Sequence, residues 1–223
     1  MSMSDASLTA GASCAVLFDL DGTLIDSVDL ICRSWRHALA KFGLGQLPDS
    51  SFLSQMGRPL EGVMHDLLGG ESQVAQMAAC YREYQHLVHD RYLRVYDGVH
   101  TAIQHLAKTE MQLGVVTSKP VAIARRGLEF ASLEGFFSVV IGADSVSRHK
   151  PEPDPVLAGL AALGIDATKA AYVGDAPVDV LAGNAAGTRT VACLWGPFSR
   201  ADFSACSPDH IIEHPDELSI LFR

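Results

Sequence analysis

Residues 15–27 read AVLFDLDGTLIDS. Four apolar residues run straight into Asp19, a second carboxylate follows at Asp21, and a Gly22-Thr23 turn comes next. Aspartate is a poor strand former and is costly to bury without a partner. One acid at a strand end is ordinary, because it can cap whatever follows. Two acids flanking Leu20 at the mouth of a turn mark a place where negative charge is wanted. Leu20 is then anchored the other way, into the fold, and both acids meet on the rim.

Working outward, residues 112–117, 138–141, 170–173 and 190–194 are further short apolar runs bounded by turn or charged residues, like residues 14–18. Near-continuous apolarity without alternation fits strands covered on both faces. Helical patterns lie between the later ones. VAIARRGLEF follows residues 112–117. DPVLAGLAALG precedes residues 170–173 and ends at Gly164, a residue suited to closing a helix. VDVLAGNAAG puts Val178, Leu181, Ala182 and Ala185 on one face and stops at Gly187. Strands alternating with helices predict an α/β chain with a doubly wound, Rossmann-like parallel sheet and right-handed crossovers.

Residues 26–95 break that rhythm. Val28, Ile31, Cys32, Trp35, Leu39 and Phe42 recur at helical spacing, and Gly43 closes the segment. PLEGVMHDLLG and residues 72–92 also read as helices, and no strand is legible there. The expected organisation is a core of residues 1–25 and 96–223 with an all-helical domain, residues 26–95, inserted after the first strand. VYDGV, residues 95–99, is the return to the core. Residues 1–12 read as a flexible tail.

Composition bounds the function. The 223 residues allow one sizeable core, or a core plus a small accessory domain. At 48% hydrophobic and 19% charged, the chain reads as globular rather than disordered. The formal net charge is −9, and Arg125 and Arg126 form the sole adjacent basic pair, which argues against sequence-independent binding to nucleic acid or an anionic membrane. An acidic chain that handles an anionic substrate needs local positive charge from a metal or from a few Lys and Arg. Cys14, Cys32, Cys80, Cys193 and Cys206 are scattered, odd in number and free of any CxxC spacing, which reads as reduced thiols in a cytoplasmic setting. The first residues show no basic segment followed by an apolar one, and no run of about 18 apolar residues would span a membrane. A cytoplasmic monomer or homodimer is expected.

In an open parallel sheet, ligands gather at the carboxyl ends of the strands. Those ends bring Asp19 and Asp21, then Thr117, Ser118 and Lys119, then Lys150 in HKPEPDP, and finally Gly174 and Asp175 in GDAPVD. Singly, each has a plain reading: Asp19 and Asp175 as helix caps, Thr117 and Ser118 as caps after Pro120, Lys150 as a solvated loop lysine, Asp179 as a surface residue. Together, three carboxylates, a hydroxyl and an ammonium on one rim suit a divalent cation and a phosphate group.

These motifs, in this order, resemble the haloacid dehalogenase superfamily of aspartate-nucleophile phosphohydrolases. DLDGT matches its first motif, VVTSK its second, Lys150 in KPEP its third and GDAPVD its fourth, and the inserted helices look like the family's helical cap of the first type. Within the family the sequence is most similar to phosphoglycolate phosphatases and their relatives. The resemblance implies that Asp19 attacks phosphorus and becomes an aspartyl-phosphate. An ordinary carboxylate is ionised for this at neutral pH. Asp21 would protonate the leaving oxygen and then help activate water, a role that needs a raised pKa beside like charge. Thr117 and the Ser118 amide would hold phosphoryl oxygens, with Gly22 also on the substrate side, and Lys150 would balance the charge of nucleophile and phosphate. Mg²⁺ would sit between the Asp19 carboxylate, the Asp21 backbone carbonyl and Asp175, with Asp179 behind them. Two departures from the family pattern stand out. Ala176 and Pro177 follow Asp175 where Ser or Thr is usual, and Asp97-Gly98 replaces Pro-Gly at the return, where hinges are expected near Asp26 and Asp97.

Substrate choice would lie with the inserted helices, and Arg58 in MGRPL is the candidate there, because arginine grips a carboxylate or second phosphate bidentately. It could equally be a surface residue or pair with Glu61. His86 and His89 read as ordinary histidines, and Trp195 as packing. The leading expectation is an enzyme, a Mg²⁺-dependent phosphatase for a small phosphorylated metabolite, phosphoglycolate-like. A pyrophosphatase or a sugar-phosphate mutase would share the machinery. A phospho-acceptor signalling or scaffold domain is the alternative of a different class.

Overall fold

The computed structural model describes residues 14–222. The tail expected over residues 1–12 lies outside them. β1 (Ala15–Phe18) sits near the middle of a six-stranded sheet, flanked by β4 (Gln112–Val116) and β6 (Ala170–Gly174). Outside these lie β5 (Val139–Ile141) on one side, and β7 (Arg189–Cys193) and β8 (His210–Ile212) on the other. Every pairing is parallel, and the order is β5-β4-β1-β6-β7-β8. The chain thus leaves β1 in both directions of the sheet, and the crevice above β1 is the natural ligand position. Phe18 lies level with Val115 and Val173, so the residues after β1, β4 and β6 reach the same rim.

Alternation along β1 serves two cores. Val16 and Phe18 join Leu113, Val115 and Val173 on one face, whereas Ala15 and Leu17 join Val116, Val156 and Tyr172 on the other. Helices α5 (Val99–Leu106), α6 (Val121–Phe130), α7 (Asp154–Leu163) and α8 (Pro177–Ala186) cover the sheet, with Gly164 and Gly187 closing α7 and α8 in the left-handed conformation. A short α9 (Leu218–Leu221) completes the layer beside α5.

Two expectations needed correction here. The buried face of α8 is Asp179, Val180, Ala182, Gly183 and Ala186, while Leu181 is exposed. Asp179, for which a surface place was the plain reading and a place behind the cation the one the resemblance implies, turns inward, where it meets a buried ammonium. The strand β8 was not foreseen, because its three residues begin with a histidine and carry no apolar run.

Between β1 and β4 the chain forms α1 (Val28–Lys41), α2 (Ser50–Leu53), α3 (Leu60–Leu68) and α4 (Val74–Tyr92). These helices have a core of their own, in which Trp35 stacks on Phe52 with ring centroids 5.3 Å apart and meets Tyr81 edge-on. The block is not free of strands. Its two ends are stitched by β2 (Ile25–Asp26) and β3 (Arg94–Val95), an antiparallel pair too short to leave a periodic signal.

Candidate active site

Asp19 follows β1 directly and is anchored by its backbone N–H on the Val173 carbonyl at 2.8 Å. Its Oδ1 accepts from the Lys150 ammonium at 2.8 Å, and the same ammonium donates to Asp179 Oδ1 at 2.5 Å. Asp179 lies in the first turn of α8, where its Oδ2 accepts from the Ala176 N–H. Asp175, at the end of β6, accepts from the Thr23 hydroxyl through Oδ1 at 2.9 Å. Its Oδ2 is buried with no hydrogen-bond partner.

That carboxylate is packed between two glycine backbones. A Cβ on Gly22 would lie 2.2 Å from Asp175 Oδ2, and one on Gly196 would lie 2.7 Å from it. Gly22 also has φ +82°, and its N–H is spent on the Ile25 carbonyl. The structure therefore gives Gly22 a different place from the expected substrate contact: it makes room for Asp175.

Asp19, Asp175 and Asp179 each offer one oxygen within 4.8 Å of the others. All three are buried, and one buried ammonium, Lys150, faces them. Burial pushes Asp19 up to about 7 against the pull of Lys150, so Asp19 is not the ordinary carboxylate that the sequence suggested. Burial, and then the charges of Asp179 and Asp19, hold Asp175 well above the usual carboxylate range. Burial works against the charge on Lys150, but Asp179 and Asp19 outweigh it and raise its pKa. Three carboxyl groups face one ammonium and one carboxyl oxygen has no partner, so holding all three ionised calls for a further positive charge. An all-oxygen donor set of this charge fits a hard divalent cation. Because Asp179 already bonds Lys150 and Ala176, Asp19 and Asp175 are the carboxylates better placed to hold it.

Asp21 stands apart from that cluster. Its Oδ1 accepts from the Ser27 hydroxyl and from the Lys119 ammonium. The like-charge surroundings expected for it are replaced by an ion pair. Thr117 is buried beside Asp19's strand, and its Oγ1 accepts from the Lys119 N–H. Neither Thr117 nor Ser118 caps α6, which starts after Pro120 without a side-chain cap. The Ser118 hydroxyl instead donates to the Gly57 carbonyl of the helical block at 2.5 Å. Gly57 has φ +88°, and a Cβ there would come within 2.6 Å of Val178 and 3.2 Å of Ala176. The unusual Ala176 is thus part of the seat on which the Gly57 turn rests.

A cavity of about 100 Å³ opens between rim and helices, lined by Asp19, Asp21, Thr117, Ser118 and Lys119 below and by Gln55, Arg58 and Arg82 above. Arg58 reaches it while paired with Asp66 at 2.7 Å and with Gln55, not with Glu61, which pairs with Arg82. His86 contacts Arg126 and His89 contacts Asp90, away from the cavity. Trp195 donates to the Thr23 carbonyl. The sequence reading missed Ser27, Gly57 and Tyr172. Lys119, left unassigned, was traceable in VVTSK.

A family model described as haloacid dehalogenase-like hydrolase matches residues 16–193, from within β1 to the end of β7. The chain belongs to this family. Its fold is the α/β core of the haloacid dehalogenase-like hydrolases, and the protein is a phosphatase of that superfamily. It is 36% identical to pyrophosphatase PpaX of Bacillus velezensis, over 92% of this chain and 94% of that one. Among solved structures, a predicted phosphatase from Clostridium acetobutylicum superposes with a TM-score of 0.84 at 27% identity, covering 93% of this chain and 97% of that one. A haloacid dehalogenase-like family protein from Streptococcus pneumoniae does so with 0.84 at 24% identity, over 95% and 99%. As haloacid dehalogenase-like hydrolases generally use Mg²⁺, the acidic cluster accords with the family. Among the described residues, no helix is long and apolar enough to cross a membrane.

Proposed function

We propose that this chain is a Mg²⁺-dependent phosphohydrolase that works through an aspartyl-phosphate on Asp19, with inorganic pyrophosphate as its preferred substrate. The observation that carries the reaction class is the buried cluster of Asp19, Lys150, Asp179 and Asp175, with an orphaned Asp175 oxygen inside it and Asp19 at the floor of the cavity. An Asp19 oxygen attacks phosphorus, the bond to the leaving oxygen breaks, and the leaving group departs past Asp21. Water then attacks the same phosphorus, its proton passes to Asp21, and orthophosphate leaves with Asp19 restored. Thr117 and the Ser118 amide hold phosphoryl oxygens, while Lys150 favours the ionised form of Asp19 against the burial that raises it to about 7. Mg²⁺, held by the Asp19 carboxylate, the Asp21 carbonyl and Asp175, would supply charge neutralisation for the transferring group.

Two features support pyrophosphate over a phosphomonoester. The cavity is small, and Lys119, Arg58 and Arg82 line it, so a compact substrate with a second anionic group is suited. Asp21 is engaged by Lys119 and Ser27, and phosphate leaves pyrophosphate as a stabilised anion that asks less of a general acid than an alkoxide does. The pyrophosphatase name of the Bacillus relative supports the same choice. Residues 26–95 act as a cap, moving about the β2–β3 stitch, with Arg58 facing the distal group of the substrate.

The test is phosphate release from pyrophosphate, phosphoglycolate, hexose phosphates and an aryl phosphate, with Mg²⁺ and with chelator. Wild type is expected to turn over pyrophosphate best, and Asp19→Asn to show no turnover with the fold intact by circular dichroism. Asp21→Asn should slow phosphoglycolate more than pyrophosphate. Faster release from phosphoglycolate would move the substrate to the phosphomonoesters, and Mg²⁺-independent release would remove the cation from the account.

A further inference from the structure

Helix α4 buries Val74, Met77, Ala78, Tyr81, Gln85 and His89. Tyr81 and Gln85 stand one helical turn apart on that face, each 5% exposed, and both line the catalytic cavity. The Tyr81 ring belongs to the core of the helical block, where it meets Trp35 edge-on with ring centroids 5.5 Å apart. Its hydroxyl lies 3.2 Å from Gln85 Nε2. Burial first, and then the negative charge of Asp21, push the phenol well above its usual pKa, so it keeps its hydrogen. Polar groups are costly to bury unless their hydrogen bonds are made, and apolar side chains at both places would pack without that cost.

Among the described residues, the bond between them is the sole side-chain hydrogen bond that either one makes. They can share it in two ways. If the amide donates, the hydrogen of the phenol is unspent. If the phenol donates to the amide carbonyl, both amide hydrogens are unspent. Either way a buried, neutral donor is left on the cavity wall, and a donor is left there whether or not the two stay bonded when a ligand enters. Lys119 and Arg82 bring positive charge to the same cavity, but they are paired with Asp21 and Glu61. Tyr81 and Gln85 have no carboxylate to leave.

We propose that Tyr81 and Gln85 form a substrate-binding pair on the helical side of the cavity, which donates a hydrogen bond to an oxygen of the distal phosphoryl group while Asp19 attacks the other phosphorus. The inference rests on the reading of pyrophosphate as substrate and adds two neutral side chains to the groups that recognise it. Negative charge builds on the distal group as the bridging bond breaks, so a donor already in place there acts on the transition state as well as on binding. A leaving group without oxygens would leave the buried donor unpaired, so the pair also selects for leaving groups rich in oxygen acceptors.

The decisive experiment compares wild type, Tyr81→Phe and Gln85→Leu in pyrophosphate hydrolysis at saturating Mg²⁺ and, by calorimetry, in the binding of two probes. Imidodiphosphate carries both phosphoryl groups on a bridge that resists hydrolysis, and orthophosphate carries one. Each variant is expected to lower kcat/KM for pyrophosphate about tenfold and to weaken imidodiphosphate about tenfold, while the orthophosphate Kd stays within about twofold. The double variant should lose no more than about threefold beyond either single one, because the two side chains act through each other. Loss of helix packing alone would weaken both probes alike, and that result would overturn the inference. So would an imidodiphosphate Kd within about twofold of wild type in either variant. Should Tyr81→Phe fail to fold, para-fluorophenylalanine at position 81 fills the place of the hydroxyl with no hydrogen to give, and the same ratio of Kd values decides. A wild type that binds imidodiphosphate no tighter than orthophosphate and leaves pyrophosphate intact would overturn the substrate reading, and the pair's assigned ligand with it. A wild type that prefers imidodiphosphate, with both variants unchanged, would overturn the pair alone.

Discussion

The rim of the sheet and the helical block of residues 28–92 hold their charges in opposite ways. On the rim, Lys150, Asp19 and Asp179 are buried and joined by hydrogen bonds that fix each partner. In the block, Arg36–Asp49, Arg58–Asp66 and Arg82–Glu61 are ion pairs that stay in contact with water. A buried pair broken on one side leaves an uncompensated charge, whereas an exposed pair contributes about 0–1 kcal/mol and can be exchanged at little cost. The difference teaches a division of labour. On the proposed reading, the core holds its reacting groups ready before any substrate arrives, and the block presents cations that can leave their partners for a ligand.

The most severe break in that contrast is Asp175→Asn. It removes the charge of the unpartnered oxygen between Gly22 and Gly196. Turnover should fall by at least about 100-fold, and the thermal stabilisation that Mg²⁺ gives wild type should vanish. A Mg²⁺-dependent rise in Tm that survives in the variant would place the cation elsewhere.

Gly57→Ala attacks the junction of the two regions. The added methyl group would strike Val178 in a left-handed backbone conformation. Seating of the block on Ser118 and Ala176 should fail, with kcat/KM for pyrophosphate down about tenfold, while stability of the sheet core, read by denaturant unfolding, changes little.

Arg58→Ala should raise KM for pyrophosphate several-fold and leave kcat near wild type, with a stability change below about 1 kcal/mol because the Asp66 partner is exposed. A fall in kcat at constant KM would contradict its assignment to the distal group.

The smallest effect is expected at His89, on α4, which meets Phe130 of α6 edge-on at 6.0 Å. Burial lowers its pKa below the ordinary 6.5, against the pull of Asp90. The unfolded chain then takes up the proton first, so the stability due to neutral His89 is complete above pH 6.5 and is lost as pH falls from there through the folded value. His89→Gln should flatten this part of the stability profile between about pH 7 and 5.

The same contrast explains what the sequence disclosed. Apolar runs ending in Asp19, Thr117 and Asp175 exposed the sheet and its rim, because a strand end converts chain position directly into place. Lys150 was legible through the motif around it. The partners of these groups were not. Tyr172 hides within an apolar run, Asp179 was legible behind the cation but not as the partner of Lys150, and Ser118 finds Gly57 across 61 positions of chain. Arg58 was visible as a cation, but its pairing with Asp66 depends on the turn into α3, which helical spacing cannot describe.

The most direct test of the account is acid quenching of wild type during turnover of pyrophosphate with Mg²⁺, followed by mass spectrometry of the peptide that contains residues 15–27. The account predicts one phosphoryl group on Asp19, absent with chelator and absent in Asp19→Asn. Continued turnover with no phosphorylated peptide, or with the phosphoryl group on another residue, would contradict it.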